Sequence, residues 1–245
     1  MYNTIIHLQL LPMCFTIPSV PSLPLYSLSM LVPTREITEI LVRLDNLLLD
    51  SITKRIKLLP VSIYEGLDRT ELRIWCHYRA RYLLPTVELV GWLNNKIDGR
   101  RAIEIGAGNG DLGYHLGIPA FDNGCQQYEN VKAAYLQMGQ IPTNPPPDVM
   151  RIDAIQAIHD YQPEVAIGAW ITDKFVEGSV EGNVYAPDGY QIIQNVEYIR
   201  IGTEKNRGRS KILEFPHEIF KPPGMVSRTS ASPPDDVIHI WKKLS

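Results

Sequence analysis

The sequence predicts an α/β protein with a doubly wound parallel sheet and an N-terminal helical cap. The first observation is a short β-prone run, Ala102–Ile105, with glycine at every second position directly after it. Residues 111–116 then read as the first turns of a helix. The second observation is that apolar strand-like runs recur downstream between helical segments, which is typical of parallel βαβ units.

The glycine turn at Gly106, Gly108 and Gly110 indicates a cofactor site. Glycine lets the backbone approach a ligand closely, and the open amides at a helix start favour polar or anionic groups. Such a turn lies at the carboxyl end of a parallel sheet, where doubly wound proteins bind their cofactors. The spacing Gly108-x-Gly110-x-x-Gly113 also satisfies the dinucleotide-binding pattern, so an NAD-type oxidoreductase is an alternative.

The acid at the strand end favours a different family. Glu104 stands two residues before Gly106-x-Gly108-x-Gly110, and this string resembles the first motif of class I S-adenosylmethionine-dependent methyltransferases. The resemblance implies a Rossmann-like sheet of about seven strands. It also implies that the turn cradles the methionine part of the cofactor and that the acid holds its amino end. The cofactor-binding residues implied are Glu104, Gly106, Ala107, Gly108, Asn109 and Gly110.

The next two strands carry further candidate cofactor ligands. The run 118–122 ends in Asp122, where a doubly wound fold places an acid for ribose hydroxyls, although a turn residue would look the same. The run 148–154 ends in Asp153 and Ala154. The resemblance implies that these two face the adenine ring. A helix N-cap is the alternative for the aspartate.

The rest of the predicted sheet follows in order. Residues 163–173 form an apolar fourth strand, and residues 196–202 form a fifth. Two late runs, 225–228 and 237–241, are expected to pair antiparallel at the end of the sheet. The resemblance covers roughly residues 98–243. The sequence also resembles a poorly characterised bacterial and phage group of methyltransferase-like proteins. This resemblance rests on Leu84–Leu89, Gly168–Trp170 and Pro216–His217, and it implies no substrate.

Candidate catalytic residues follow strands four and five. Methyl transfer from a sulfonium needs alignment of the acceptor, and it needs a base only if the acceptor must lose a proton. Trp170 is a candidate to stack on an acceptor or to line the adenine-binding site. Thr172 and Asp173 are candidates to orient an acceptor. Glu204 and His217 are candidate bases. The structural alternatives are a core aromatic for Trp170, a loop N-cap or turn for Thr172 and Asp173, and a structural or solvated loop residue for His217.

Two polar segments have structural readings as well as functional ones. Asn144–Pro147 resembles the Asn-Pro-Pro-aromatic motif of adenine-modifying methyltransferases, but Pro147 replaces the aromatic residue that would stack on a flipped base. It reads as a proline-rich connection and disfavours a DNA adenine methyltransferase. Residues 200–211 hold five basic side chains, which suit either phosphate contacts or a solvated loop.

The chain divides into three parts. Residues 1–33 are a proline-rich extension without acidic or basic side chains, predicted to be weakly ordered, and Met30 is an alternative start. The extension lacks the basic start of a signal peptide, and its prolines break any membrane helix. Residues 34–97 form the helical cap, with Thr34 as the first N-cap. Residues 98–245 form the domain that, as the resemblance implies, binds S-adenosylmethionine.

Composition sets the outer limits on function. The net charge of −3 argues against broad nucleic-acid binding, and three cysteines without metal-ligand spacing suit a reducing cytoplasm. Together with the resemblance, these limits lead us to expect a cytoplasmic methyltransferase without a metal, acting on an unidentified small molecule, protein or RNA. A non-catalytic sensor or partner subunit that binds S-adenosylmethionine is the second alternative. The oligomeric state is not encoded in a recognisable pattern.

Overall fold

The computed structural model describes residues 32–172, 174, 183–203, 211–228 and 236–244. This part of the chain is an α/β fold around a mixed, mostly parallel six-stranded sheet, consistent with a Rossmann-like fold. The helices are α1 Arg35–Leu48, α2 Val61–Glu65, α3 Arg69–Tyr78, α4 Val87–Ile97, α5 Asp111–Leu116, α6 Glu129–Gln137, α7 Ala154–Tyr161 and α8 Gly189–Asn195. The strands are β1 Leu83–Leu84, β2 Ala102–Ile105, β3 Ala120–Phe121, β4 Val165–Ala169, β5 Glu197–Thr203, β6 Glu218–Phe220, β7 Val226–Ser227 and β8 Asp236–Trp241.

The strand order in the main sheet is β3-β2-β4-β5-β8-β6. Strands β3, β2, β4 and β5 run parallel, and β8 runs antiparallel to both of its neighbours. Glu104 on β2 lies opposite Ala120 on β3 and opposite Ile167 on β4. The carboxyl ends of the first strands therefore meet at one edge of the sheet, as the sequence predicted.

The predicted strand at 148–154 is not a strand in the structure. A single parallel bridge joins Phe121 to Met150, and the chain then enters α7. Asp153 already caps that helix, because its side chain accepts a hydrogen bond from the Ile155 amide. Too few residues are left between the bridge and the helix for a ladder. The sheet therefore has six strands rather than the expected seven or so.

The expected pairing of 225–228 with 237–241 is wrong. Strand β7 pairs instead with β1 in a separate two-stranded sheet, and the outer partner of β8 is β6. The reason lies at the start of α4, where the Thr86 hydroxyl donates a 2.7 Å hydrogen bond to the Gly224 carbonyl. This bond holds the chain that leads into β7 beside β1.

The helices predicted between 34 and 97 are present as α1, α3 and α4. Their N-caps are Thr34, Asp68 and Thr86, and each side chain accepts a hydrogen bond from an amide of the first turn. None of the helices in the described ranges is long and apolar enough to cross a membrane.

Both faces of the sheet are covered by helices. Residues of β4 alternate between the two sides, with Val165 and Ile167 packed towards α4 and α5 and Ala166 packed towards α7 and α8. A third apolar cluster lies between α1 and α3 and includes Leu44 and Trp75, both fully buried. The predicted double winding is therefore observed, with a separate core for the N-terminal helices.

One carboxylate joins α1 to α3. Asp45 accepts hydrogen bonds from the Trp75 indole at 2.9 Å and from the Arg79 guanidinium at 2.8 and 2.6 Å. The Asp45 carboxylate thus gives a hydrogen-bond acceptor to the nitrogen of the Trp75 indole, which is fully buried.

We predict that Asp45→Ala lowers the free energy of unfolding by about 2–3 kcal/mol, because it leaves the Trp75 indole and the Arg79 guanidinium without their acceptor. Denaturant unfolding followed by tryptophan fluorescence measures this change. The control is Glu39→Ala, which removes an exposed ion pair with Arg35 and should cost less than about 0.5 kcal/mol. Equal losses in the two variants would contradict the assignment.

Candidate functional site

A cleft opens at the carboxyl ends of β2 and β4. The empty space within it measures about 630 Å³, a volume that includes space open to solvent. The residues of the glycine turn, the end of β4, the stretch before β1 and the loops after β3 and α6 form its walls. The lining residues are Ala80, Arg81, Tyr82, Leu83, Glu104, Gly106, Ala107, Gly108, Asn109, Asp111, Leu112, Asp122, Gln126, Tyr135, Thr143, Ala169, Trp170 and Thr172.

The three alternating glycines adopt left-handed backbone conformations. The φ angles are 58° at Gly106, 54° at Gly108 and 68° at Gly110. A Cβ atom at Gly106 would lie 2.9 Å from the Ile171 side chain, and one at Gly110 would lie 2.5 Å from Val149. The glycines are thus required by the fold itself, in addition to any closeness to a ligand.

The amides of the turn are used largely within the protein. The Ala107 amide donates to the Phe121 carbonyl at 2.9 Å, and the Gly110 amide donates to the Ala107 carbonyl at 2.7 Å. The Gly108 amide donates to the Asp122 carboxylate at 2.8 Å. Side-chain groups in the walls are therefore the principal polar contacts available to a ligand.

Glu104 is the most deeply buried acid of the cleft, with 2% of its surface exposed. Its Oε2 accepts a hydrogen bond from the Gly113 amide at 2.7 Å. The pKa of this carboxyl is raised to about 8, chiefly by burial; nearby Asp111 and Asp122 contribute to the rise, and the Gly113 amide and Arg55 oppose it. The group is thus largely protonated at neutral pH, and a ligand with a positive charge would favour its ionised form.

Asp122 lies at the end of β3, as predicted, and lines the cleft. Its two oxygens accept hydrogen bonds from the amides of Gly108 and Gly124, at 2.8 and 2.7 Å. Each carboxylate oxygen has a second acceptor position. Asp122 therefore holds the turn in place and has acceptor capacity left for a hydroxyl group.

The predicted adenine-facing pair lies elsewhere. Asp153 is exposed and caps α7, while Ala154 is buried in the apolar layer between the sheet and α7. Neither residue belongs to the cleft lining. The wall on this side is formed by Gln126 and Thr143, which are joined by a 2.7 Å hydrogen bond from the Thr143 amide to the Gln126 side chain. The proline-rich connection after α6 thus places Thr143 in the cleft.

Of the candidate catalytic residues, Trp170 and Thr172 line the cleft. Trp170 has a left-handed backbone, with φ 59°, which is uncommon for a bulky residue, and its amide donates to the Ile201 carbonyl. Asp173 and Glu204 lie outside the described residues, as do Lys205, Arg207 and Arg209 of the basic segment and nearly all of the N-terminal extension.

His217 is placed by β6, away from the cleft. Its ring packs against Trp241 and His239 at centroid distances of 4.9 and 5.0 Å, and its Nδ1 lies 2.8 Å from the Phe215 carbonyl oxygen. The residue is not among those that line the cleft.

Sequence reasoning did not find the charged contacts between the N-terminal helices and the glycine turn. Arg81 forms a buried ion pair with Asp111 at the start of α5, and Arg55 donates to the Asn109 carbonyl. The Ile56 amide donates to Asp111 at 3.1 Å, and Asn109 donates to the Ala80 carbonyl at 2.9 Å. These partners are 29 to 55 residues apart, and no periodicity marks them.

The described residues contain no cluster of three or more histidine, cysteine or acidic side chains suited to a metal ion.

Comparisons of the chain with protein-family models, with curated proteins and with solved structures gave no significant match. Function must therefore be inferred from the residues of the cleft.

We predict that the stability conferred by Glu104 falls as pH rises. Its pKa is about 8 in the folded protein, above the ordinary value of 4.5, so folding is favoured by the protonated form at low pH. That contribution is lost progressively between about pH 4.5 and 8, by at most about 1.4 kcal/mol per pH unit. The difference in unfolding free energy between the native protein and Glu104→Gln should thus shift by on the order of 2 kcal/mol between pH 5.5 and 7.5.

Denaturant unfolding at the two pH values measures this shift, because the glutamine side chain of the variant keeps the shape of the acid but cannot titrate. Glu39→Gln, at an exposed position, serves as the control and should show no such shift. Parallel pH profiles for the native protein and Glu104→Gln would show that the carboxyl is not protonated at neutral pH.

Proposed function

We propose that this protein is an S-adenosylmethionine-dependent methyltransferase. The observation that carries the proposal is the junction of β2 and α5, where Glu104 and the left-handed glycine turn line a cleft at the carboxyl edge of a parallel sheet. Asp122 enters the same cleft from the adjacent strand. This is the arrangement expected from the resemblance to class I methyltransferases.

The polar groups of the cleft suit the groups of this cofactor. The Glu104 carboxyl is buried and has a raised pKa, so an ammonium group beside it would stabilise its ionised form. Among the described residues of the lining, Arg81 supplies the basic side chain, and its buried Nε has no hydrogen-bond partner there. Arg81 would hold the carboxylate, and Asp122 would accept from the ribose hydroxyls.

Two further features support the finer fold assignment. The bridge between Met150 and Phe121 lies parallel to β3 at the place of a seventh strand. Residues 80–83 belong to the N-terminal helical region and form one wall of the cleft. We therefore assign residues 34–97 as a cap that covers the bound cofactor.

The cofactor supplies an electrophilic methyl group on a sulfonium. The protein's contribution is to align an acceptor with that group and to exclude water. Trp170 and Thr172, after β4, are placed to contact an acceptor, since both line the cleft with the glycine turn. The acceptor's nature decides whether a base is needed at all.

We predict that S-adenosylmethionine and S-adenosylhomocysteine bind with micromolar dissociation constants, measured by isothermal titration calorimetry on the full chain. Gly108→Arg should abolish binding, because it fills the cleft. Gly117→Arg is the matched control: Gly117 has a similar φ of 66° but lies outside the cleft lining, with open space around it. This control should bind normally, although both variants carry the same backbone strain.

NAD is titrated in parallel, because Gly108-x-Gly110-x-x-Gly113 also fits a dinucleotide. Binding of NAD alone would replace the proposal with an oxidoreductase. Binding of S-adenosylmethionine without turnover to S-adenosylhomocysteine in cell extract would favour a sensor or partner subunit. Binding of none of the three would contradict the cofactor assignment.

We also predict that decarboxylated S-adenosylhomocysteine binds at least tenfold more weakly than the intact compound. The loss follows from the charge-assisted hydrogen bonds that Arg81 would make to the carboxylate, worth about 1.5–3 kcal/mol. Competition calorimetry on the native protein measures the ratio without perturbing the Arg81–Asp111 pair. Equal affinities would show that Arg81 serves only the fold.

A further inference from the structure

Arg55 reaches the glycine turn from the segment that joins α1 to α2. Its backbone is held in place locally, because the Asp50 side chain accepts from the Thr53 amide at 2.7 Å and the Asp50 amide donates to the Arg55 carbonyl at 2.8 Å. The next amide, that of Ile56, donates to Asp111 on α5. The side chain of Arg55 therefore starts from a fixed point beside α5.

The guanidinium of Arg55 joins three segments of the protein. It donates to the Asn109 carbonyl in the glycine turn and forms an ion pair with Asp148. Its central carbon also lies 5.3 Å from the centroid of the Tyr114 ring on α5. Only 6% of the residue is exposed. The planar group presents several donors in fixed directions, whereas the single ammonium group of a lysine could not span the same partners.

The segments that Arg55 joins contribute to the walls of the cleft. Asn109 is itself a lining residue, and Asp148 follows the lining residue Thr143 in the connection after α6. A Cβ atom at Gly110 would lie 3.1 Å from Nη1 of Arg55, so the guanidinium packs directly against the turn. Arg55 is not one of the described residues that line the cleft, so it can act on a ligand there only through the residues that it holds.

The charge of Arg55 also acts on the acids of the cleft. The pKa of Glu104 is raised chiefly by burial and further by Asp111 and Asp122, and Arg55 opposes this rise. Burial also raises the pKa of Asp111, and Arg55 is among the groups that oppose that rise. Burying a guanidinium has a desolvation cost, and apolar side chains often fill such a space at least as stably. Stability alone therefore gives little reason for an arginine at this position.

We propose that Arg55 is a positioning residue for cofactor binding, which holds the glycine turn and the connection after α6 in the arrangement that receives S-adenosylmethionine. The inference rests on the proposed methyltransferase function, in which the turn cradles the methionine part of the cofactor. Arg55 makes no contact with the cofactor. It keeps the turn in its binding conformation before the ligand arrives, and its charge favours the ionised form of Glu104, with which an ammonium group pairs.

Isothermal titration calorimetry of the full chain with S-adenosylhomocysteine tests this role. Arg55→Gln should weaken binding about tenfold or more at pH 6.5, because the turn loses its support and Glu104 loses a nearby positive charge. Without that charge the pKa of Glu104 rises above its value of about 8, so less of the carboxyl is ionised at pH 6.5. The loss should shrink towards pH 8.5, where Glu104 ionises more readily. The ratio of the two affinities at each pH cancels the titration of the ligand itself.

A second variant separates the charge from the geometry. Arg55→Lys keeps the positive charge but cannot span Asn109 and Asp148, so it should lower the affinity by a smaller factor that does not change with pH. Arg43→Gln is the matched control. Arg43 pairs with Glu71 between α1 and α3, and neither residue belongs to the cleft lining, so the affinity should stay unchanged.

Thermal unfolding of each variant identifies a purely structural role. A lower melting temperature with unchanged affinity for S-adenosylhomocysteine would overturn the proposal, and so would a loss in Arg55→Gln that is the same at every pH. Should Arg55→Gln not fold, Asp148→Asn provides the test, because it frees the guanidinium from a carboxylate whose side chain is 61% exposed. Unchanged affinity in that variant would also overturn the proposal. Absence of binding by the native protein would instead reject the methyltransferase function, and the role of Arg55 with it.

Discussion

The cleft depends on one buried contact, between the Glu104 carboxyl at the end of β2 and the Gly113 amide in α5. The contact is 2.7 Å long, and glycine at position 113 leaves room for it: a Cβ atom there would lie 2.7 Å from the same oxygen and 3.1 Å from Ala120, and would displace the Glu104 carboxyl. It fixes α5 against β2 and β3, and the chain between them must then turn through Gly106, Gly108 and Gly110. The Gly108 amide reaches Asp122 only because that turn is so tight. Strand, turn and helix thus form one unit in which the acid that would meet a ligand also holds the backbone in place.

Residues 34–97 join this unit through charges as well as through the apolar packing of α4 against Leu112 and the sheet. The Arg81–Asp111 pair and the bond from Arg55 to the Asn109 carbonyl lie where residues 34–97 meet the glycine turn. Burial raises the pKa of Asp111 and lowers that of Arg81, so each member bears a desolvation cost that the other offsets. Apolar side chains would stabilise such a junction at least as well. Polar groups there make sense if the junction is also a binding surface.

How far the sequence predicted this structure depends on how local each feature is. The strand–turn–helix unit and the N-cap at Thr34 are set by residues a few positions apart, and they were predicted. Asp153 was ambiguous, because an N-cap and an adenine ligand look alike in sequence, and the structure shows the cap. The partners of β7 and of Arg81 were missed, since the bonds from Thr86 to Gly224 and from Arg81 to Asp111 span 138 and 30 residues. Hydrophobic patterning carries no information on pairs of that kind.

The charged side chains that line the cleft are mostly acidic. Glu104, Asp111 and Asp122 lie at the glycine turn, and Arg81 is the basic side chain among the lining residues. Arg81 is already paired with Asp111, so it does not balance the other two acids. A cationic group beside Glu104 would favour the ionised carboxylate, because an opposite charge nearby offsets the desolvation that raises the pKa of this acid. The cleft is therefore complementary to a ligand that brings a positive charge to the glycine turn, as the ammonium group of the proposed cofactor would.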